Sequence, residues 1–330
     1  MDKVLVTGGS GFVGLALVRR LRKDGISVVA AARNYSAEVE KCGAVMRCGD
    51  VRDRNFLIQA AQGCDTIFHT AAKAGIWGSR QDYYSINVHG TDNVLAACRA
   101  NKTAGLIYTS TPSVVFEQRE IDGGDESLPY SSEYLCHYAE TKAIAEKKIL
   151  AANSDGLKTT ALRPHLIWGP GDTNLIPRLL ARGRNGTLKQ VGEGDNKVDI
   201  SYIDNVVDAQ VLAAKNLHGD GRAAGKPYFI SQGKPVNLWT WINTLFERLH
   251  IPKVAQQISY KKAYLGGAML EAVYTICRIK KEPLMTRFLA EQLAKSHWFS
   301  IRRAQDDFAY KAEVSTEEGV DRLIKWIQQR

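Results

Sequence analysis

Val4-Leu5-Val6-Thr7-Gly8-Gly9-Ser10-Gly11-Phe12-Val13-Gly14 is the stretch that decides the fold. Its first three residues are aliphatic with no polar interruption, as in a strand covered on both faces. Glycines follow at once, and a helical pattern runs on through residues 11–24. Glycine lets the chain turn tightly and lets backbone N–H groups approach an anion, and a helix N-terminus adds positive potential at the same point. The stretch predicts a strand, a phosphate-cradling loop and a helix. Gly8, Ser10, Gly11, Phe12, Val13 and Gly14 then lie at or beside the ligand.

The same alternation continues outward. Further strand-length apolar runs lie at residues 28–32, 66–69, 106–108 and 159–162, with helical stretches at 54–61, 87–100 and 138–153. Strands alternating with helices imply βαβ units. The expected fold is therefore α/β: a Rossmann-type, doubly wound parallel sheet. The second half loses this rhythm and carries proline breaks at Pro170, Pro177, Pro227, Pro235, Pro252 and Pro283. It reads as a smaller, mainly helical lobe. The division expected is 1–170 for dinucleotide binding, with a returning segment near 199–215, and 171–330 for substrate.

Composition narrows the function classes. The chain has 330 residues and a net charge of +9, which suits an anionic ligand, acidic substrate or anionic surface. Its basic residues are scattered with no recognition motif, so nucleic acid is not expected as a partner. No two of the six cysteines have CxxC spacing, so no metal site or redox dithiol is expected. The chain starts Met-Asp-Lys and goes straight into a strand-like run, without a leader's cleavage pattern, so the expected compartment is cytoplasmic. Residues 263–279 are largely apolar but shorter than the roughly 20 residues of a spanning helix. They contain Glu271 and are flanked by Lys261, Lys262, Arg278, Lys280 and Lys281. An amphipathic cap or interfacial helix fits them better than a span.

Proton-transfer chemistry is written in Tyr138-Ala139-Glu140-Thr141-Lys142. Residues four apart share one helix face. A tyrosine near its ordinary pKa of about 10 is a poor acid–base group, and a nearby ammonium lowers that value. Lys142 is also placed to hold a ribose hydroxyl. A third group should polarise a carbonyl. Thr111 stands at a strand end, and Ser110 and Ser113 are near enough to compete for the role. After the second strand, Ala30-Ala31-Ala32-Arg33-Asn34 carries no carboxylate. An acid there would bind the ribose of NAD, whereas Arg33 can pair a 2′-phosphate, so NADP(H) is the expected cofactor.

The GxxGxxG spacing of Gly8, Gly11 and Gly14, with Thr111, Tyr138, Lys142 and the stretch Arg163-Pro164-His165-Leu166-Ile167-Trp168-Gly169-Pro170-Gly171-Asp172, resembles the 3β-hydroxysteroid dehydrogenase branch of the extended short-chain dehydrogenases. One departure is Thr111, where many relatives have serine; the hydroxyl is kept. The resemblance implies that Asp50 and Val51 lie at the adenine, Ala71 and Ala72 along the cofactor's far side, and Pro164 and Leu166 at the nicotinamide carboxamide. His165 is expected to pack and shape the pocket. Residues 71–78, 110–116 and 296–299 further resemble the group of reductases in bacterial long-chain olefin biosynthesis. That group implies NADPH-dependent reduction of the 3-keto group of a long-chain 2-alkyl-3-oxoalkanoic acid to the 2-alkyl-3-hydroxy acid. Trp77, Trp168, Trp298 and Phe299 would then wall a tunnel or, as aromatics more commonly do, fill the core. Dehydrogenation of a 3β-hydroxysteroid or sterol 4-carboxylate is one alternative, and nucleotide-sugar epimerisation another. The implied partners are a small-molecule β-keto acid and a second copy in a homodimer. Peripheral contact with the inner membrane, or with enzymes of the same pathway, is compatible with the basic, partly apolar surface.

Overall fold

The computed structural model describes residues 1–116 and 118–329. The main sheet is built, in chain order, from β1 (Lys3–Thr7), β2 (Ser27–Ala32), β3 (Val45–Cys48), β4 (Thr66–His69), β5 (Gly105–Thr109), β6 (Lys158–Pro164) and β7 (Lys226–Ile230). Across the sheet the order is β7-β6-β5-β4-β1-β2-β3, and each neighbouring pair is parallel. This is the doubly wound Rossmann arrangement. The chain grows outward from β1 on one side and from β4 on the other. The order thus reverses between them, and a crevice opens above their carboxyl ends. Thr7 sits at that point, level with Ala31 of β2 and His69 of β4.

The alternating pleat explains the two covering layers. Helices α1 (Phe12–Lys23), α2 (Arg54–Ala60), α3 (Gly90–Asn101), α4 (His137–Ala151) and α5 (Ile203–His218) flank the sheet. Val4 and Val6 point to one face and pack with Leu17, Val18 and Leu21 of α1 and Val207 and Val211 of α5. Leu5 points to the other and packs with Leu57 of α2, Val94 of α3 and Ile149 of α4. Both faces are covered, which is why these strands are continuous apolar runs.

Two strands of the main sheet escape the sequence pattern, for different reasons. β3 is a short outer strand whose residues are mostly exposed, and Arg47 interrupts its apolar pattern. β7 contains Pro227, which cannot donate to a ladder and is confined to edge strands. It pairs only with β6, at the sheet's margin. Its proline made it look like part of the irregular lobe.

The rest of the second half is mainly helical. Its strands Val236–Asn237, Lys197–Val198 and His297–Phe299 are joined by Ile121–Gly124, from the first half, in a four-stranded sheet. The apolar segment forms helix α6 (Tyr260–Ile276), capped where Ser259 Oγ accepts from the Lys262 N–H. No helix among the described residues is long and apolar enough to cross a membrane.

Candidate active site

The anion cradle lies between β1 and α1. Gly11 caps α1 without a side chain, and the first turn holds no acid. Its N–H groups therefore remain open to an anion. Gly8 has φ +71°, and a Cβ there would come within 2.9 Å of the Ala71 backbone. Gly14 has another duty, since a Cβ on it would lie 2.1 Å from Gly8 O. Only a bare backbone lets loop and helix approach this closely. Phe12 and Val13 turn partly into the core. A cleft of about 310 Å³ runs over this loop, lined by Gly8, Ser10, Gly11, Arg33, Asp50, Val51, Ala71 and Ala72. Asn34, Gly49, Thr70 and Lys73, from the same stretches, also line it, as does Ile86, which no motif singles out. Open donors, glycines that admit no side chain and a cleft at the switch point fit a dinucleotide.

At the outer end of the cleft, Asp50 is committed to Arg52. Its carboxylate accepts from Arg52 Nε at 3.0 Å, Nη2 at 2.7 Å and the backbone N–H at 2.9 Å. Those bonds hold its carboxyl below the usual range, and Arg33 adds to the effect. The acid in the cleft is thus already neutralised, and Arg33 is exposed beside it.

The groups expected to handle the proton gather at the carboxyl ends of β5 and β6. Tyr138 is in the first turn of α4, with Lys142 one turn on. Lys142 is buried; its Nζ donates to Thr109 O at 2.5 Å and lies 4.0 Å from the Tyr108 ring centroid. Thr111, just beyond β5, stands beside Tyr138 and draws the phenol's pKa down against burial. It donates to Ser113 Oγ at 3.2 Å. Ser110 is buried and donates to Glu146. Of the three hydroxyls that spacing left open, Thr111 is the one that acts on the Tyr138 phenol.

One expectation is corrected. Lys142 does not make Tyr138 more acidic in this structure. Burial pushes the phenol up to about 12, with Thr111 pulling it down. Burial also brings Lys142 down to about 7, with Glu146 opposing. Lys142 is out of water and Tyr138 is half-buried, and burial disfavours the charged form of each. Tyr138 is therefore a protonated phenol across the neutral range.

Behind these groups stands a set of buried polar side chains. Glu146, fully buried and one turn beyond Lys142, accepts from Arg163 Nε at 3.1 Å, Arg163 Nη2 at 2.5 Å and Tyr130 Oη at 2.8 Å. His69 is also enclosed, and burial, helped by Lys142, pushes its pKa down to about 3. Thr91 gives its proton to Asn87 O, so its Oγ1 accepts from His69 Nε2 at 3.1 Å. His69 Nδ1 then accepts from the Thr7 hydroxyl at 2.8 Å. A neutral imidazole thus ties the end of β1 to α3.

Asn87 lies in a π-helical stretch, Tyr84–His89, immediately before α3. Its Oδ1 accepts from the Lys73 N–H at 2.7 Å, and its Nδ2 donates to Lys73 O at 3.2 Å and Thr141 Oγ1 at 3.0 Å. The cleft loop is thereby fastened to α4 beside Lys142. A π-turn has no period that a helical pattern would flag, although such turns gather at functional sites.

The Arg163–Asp172 stretch has mixed roles. His165 is buried and its Nε2 lies 2.6 Å from His297 Nδ1. His297 Nε2 donates to Gln292 O at 2.9 Å, so the His297 Nδ1 accepts. Pro164 ends β6, and Leu166 follows with φ +40°. Asp172 accepts from the N–H groups of Asn174 and Ile176, at 2.7 and 2.8 Å, and starts the next helix. Trp168 is fully buried, and Phe299 stacks on Phe229 with centroids 4.2 Å apart. These two rings are core. Trp298 donates to Asp122 at 2.9 Å on the four-stranded sheet. Trp77 donates to Ile279 O at 3.1 Å, beside α6.

A glycine-rich cradle with open N–H groups and a protonated phenol lie at the carboxyl ends of one parallel sheet, as transfer of a hydride and a proton requires. The chain is an NAD(P)-dependent oxidoreductase. It belongs to the 3-beta hydroxysteroid dehydrogenase/isomerase family, whose profile matches residues 5–260. It is 47% identical to the 2-alkyl-3-oxoalkanoate reductase of Stenotrophomonas maltophilia, over 97% of this chain and 98% of that one. It is 31% identical to the decarboxylating sterol-4-alpha-carboxylate 3-dehydrogenase of Mus musculus, over 98% of this chain and 90% of that one. Among solved structures, MoeE5 in complex with UDP-glucose and NAD superposes with a TM-score of 0.75 at 25% identity, over 100% and 99% of the two chains.

Proposed function

We propose that this chain uses NADPH to reduce the 3-keto group of a long-chain 2-alkyl-3-oxoalkanoic acid, giving the 2-alkyl-3-hydroxy acid. The observation that carries the substrate class is the full-length likeness to a reductase of that name. The preference for NADPH rests on the cleft's outer end, where β2 closes without an acid, Asp50 is neutralised and Arg33 is exposed. A 2′-phosphate there meets a guanidinium and no free carboxylate.

The roles of the side chains follow from their chemistry. Gly8, Ser10 and Gly11 with the start of α1 seat the pyrophosphate, and Pro164 and Leu166 border the nicotinamide. The bound cofactor supplies the hydride. Thr111 donates a hydrogen bond to the carbonyl oxygen as negative charge grows there. Tyr138, kept protonated by its buried position, gives its proton to that oxygen. Lys142 holds the ribose and restores the proton. A homodimer belongs to the same reading, and light scattering on the purified chain tests it.

The discriminating assay incubates enzyme and NADPH with a long-chain 2-alkyl-3-oxo acid, following absorbance of the reduced nicotinamide. Enzyme and NADP⁺ with a sterol 4-carboxylate form the second arm. Consumption of NADPH in the first supports the proposal, whereas turnover of the sterol alone replaces it with the activity named for the mouse relative. NAD that stays bound through purification, with no net redox change, would instead mark an epimerase.

A further inference from the structure

Helix α6 has two unlike faces. On the inner one, Ala263 and Gly267 are buried, and a Cβ on Gly267 would lie 2.6 Å from the Thr286 backbone. Glu271 accepts from the Arg287 N–H at 2.6 Å and from its Nε at 2.7 Å. Burial first, and Glu271 with it, push up the thiol of Cys136, two residues before Tyr138. Near the C-terminal end, Tyr274 meets the Trp77 ring edge-on at 6.0 Å, on the loop that continues from Ala71 and Ala72. The inner face therefore borders the mouth of the active site.

The outer face is bare. Leu265 is 63% exposed, Met269 70%, Val273 50% and Ile276 80%. At about 100° per residue, these four fall within about 80° of arc. Leu284 adds a fifth apolar side chain at 72% exposure. Patches of this kind on a soluble chain mark a docking surface. Cations stand at both ends, Lys261 and Lys262 before the stripe and Arg278, Lys280 and Lys281 after it, all exposed. The one carboxylate on α6, Glu271, is turned inward to Arg287.

We propose that α6 seats the enzyme on an anionic lipid surface, with the apolar stripe among the acyl chains and the two cation clusters at the headgroups. The charges choose this occupant. A second copy laid on the stripe, parallel or antiparallel, would bring cations against cations, whereas an anionic bilayer answers both clusters. An apolar stripe too short to span, with basic flanks, is the pattern of a helix that lies in the interface. The mouth of the active site then opens beside the membrane, where a long-chain amphiphile resides. The docking itself does not depend on which substrate the enzyme takes.

The test is sedimentation of the full chain with vesicles of phosphatidylcholine, and with vesicles one-third phosphatidylglycerol. The wild type is expected to pellet with the anionic vesicles, less so at high salt, and to stay in solution with the neutral ones. Met269→Glu/Ile276→Glu and Lys280→Glu/Lys281→Glu should each weaken the partition at least about tenfold. Both should keep wild-type thermal unfolding and NADPH affinity, which separates lost docking from misfolding. Wild type remaining in solution with anionic vesicles overturns the proposal, as does undiminished binding by Met269→Glu/Ile276→Glu. So does a Met269→Glu/Ile276→Glu variant that falls from dimer to monomer in light scattering, because the stripe would then belong to a second copy.

Discussion

Ser110, just beyond β5, donates to Glu146 of α4, while Thr111, next to it in sequence, acts on Tyr138 at the start of that helix. This division makes Thr111 the hydroxyl proposed for chemistry and leaves Ser110 to structure. Tyr138→Phe should abolish reduction and leave NADPH affinity within a few-fold, read by steady-state rates and fluorescence titration. Undiminished turnover in that variant would remove Tyr138 as the proton donor. Thr111→Val should lower kcat by about a hundred- to a thousandfold, the usual cost of losing one such donor. Thr111→Ser should restore most of it.

Lys142, brought down to about 7 by burial, gives the reaction a pH dependence. Its ammonium is present below that value and is lost as pH rises through it. Tyr138, pushed up to about 12, keeps its proton over the same range. The value of kcat/KM for reduction should therefore fall as pH rises through about 7. In Lys142→Met the rate should be lower and that limb absent. A limb that persists in Lys142→Met would assign the titration to another group.

Glu146 and Arg163 form an ion pair with side-chain exposures of 0% and 2%. Removing one charge leaves the other buried without a counter-ion, which costs about 3–5 kcal/mol. Glu146→Gln should lower the unfolding free energy by that order in urea denaturation. Ser110→Ala should be milder, at about 1–3 kcal/mol, because it removes one bond to a charged group. A Ser110→Ala enzyme with normal stability and a collapsed kcat would reverse the roles given to Ser110 and Thr111.

Arg33→Ala should raise the KM for NADPH by about ten- to a hundredfold, the range of a lost charged hydrogen bond. The KM for NADH should barely move, since NADH has no 2′-phosphate. Parallel titration of both cofactors reads the effect. Equal losses for both would show that Arg33 acts on the shared part of the molecule.

Sequence pattern carried the sheet's centre because β1, β4 and β5 are buried on both faces and their apolar runs are unbroken. It failed at the margins, where Arg47 in β3 and Pro227 in β7 are tolerated only because those strands have one neighbour each. Tyr138 and Lys142 were legible because a helix turn fixes their spacing. Glu146 and Arg163 were not, because only folding places a residue of α4 against one of β6. The direction of the Tyr138 shift was also missed. Spacing announces a neighbouring cation, but not that burial weakens that cation's hold on its own proton.

The π-helical run Tyr84–His89 holds one surplus residue relative to an ordinary α-helical coil. Deleting a single residue from it would restore the regular repeat and turn the residues of the run itself about the helix axis relative to α3. Asn87 grips Lys73 on one side and Thr141 on the other, and it could not keep both grips through that rotation. The irregular coil is therefore a rivet: the seat of the dinucleotide and the turn carrying the lysine shift as one piece, and shortening the chain here would set them loose from each other.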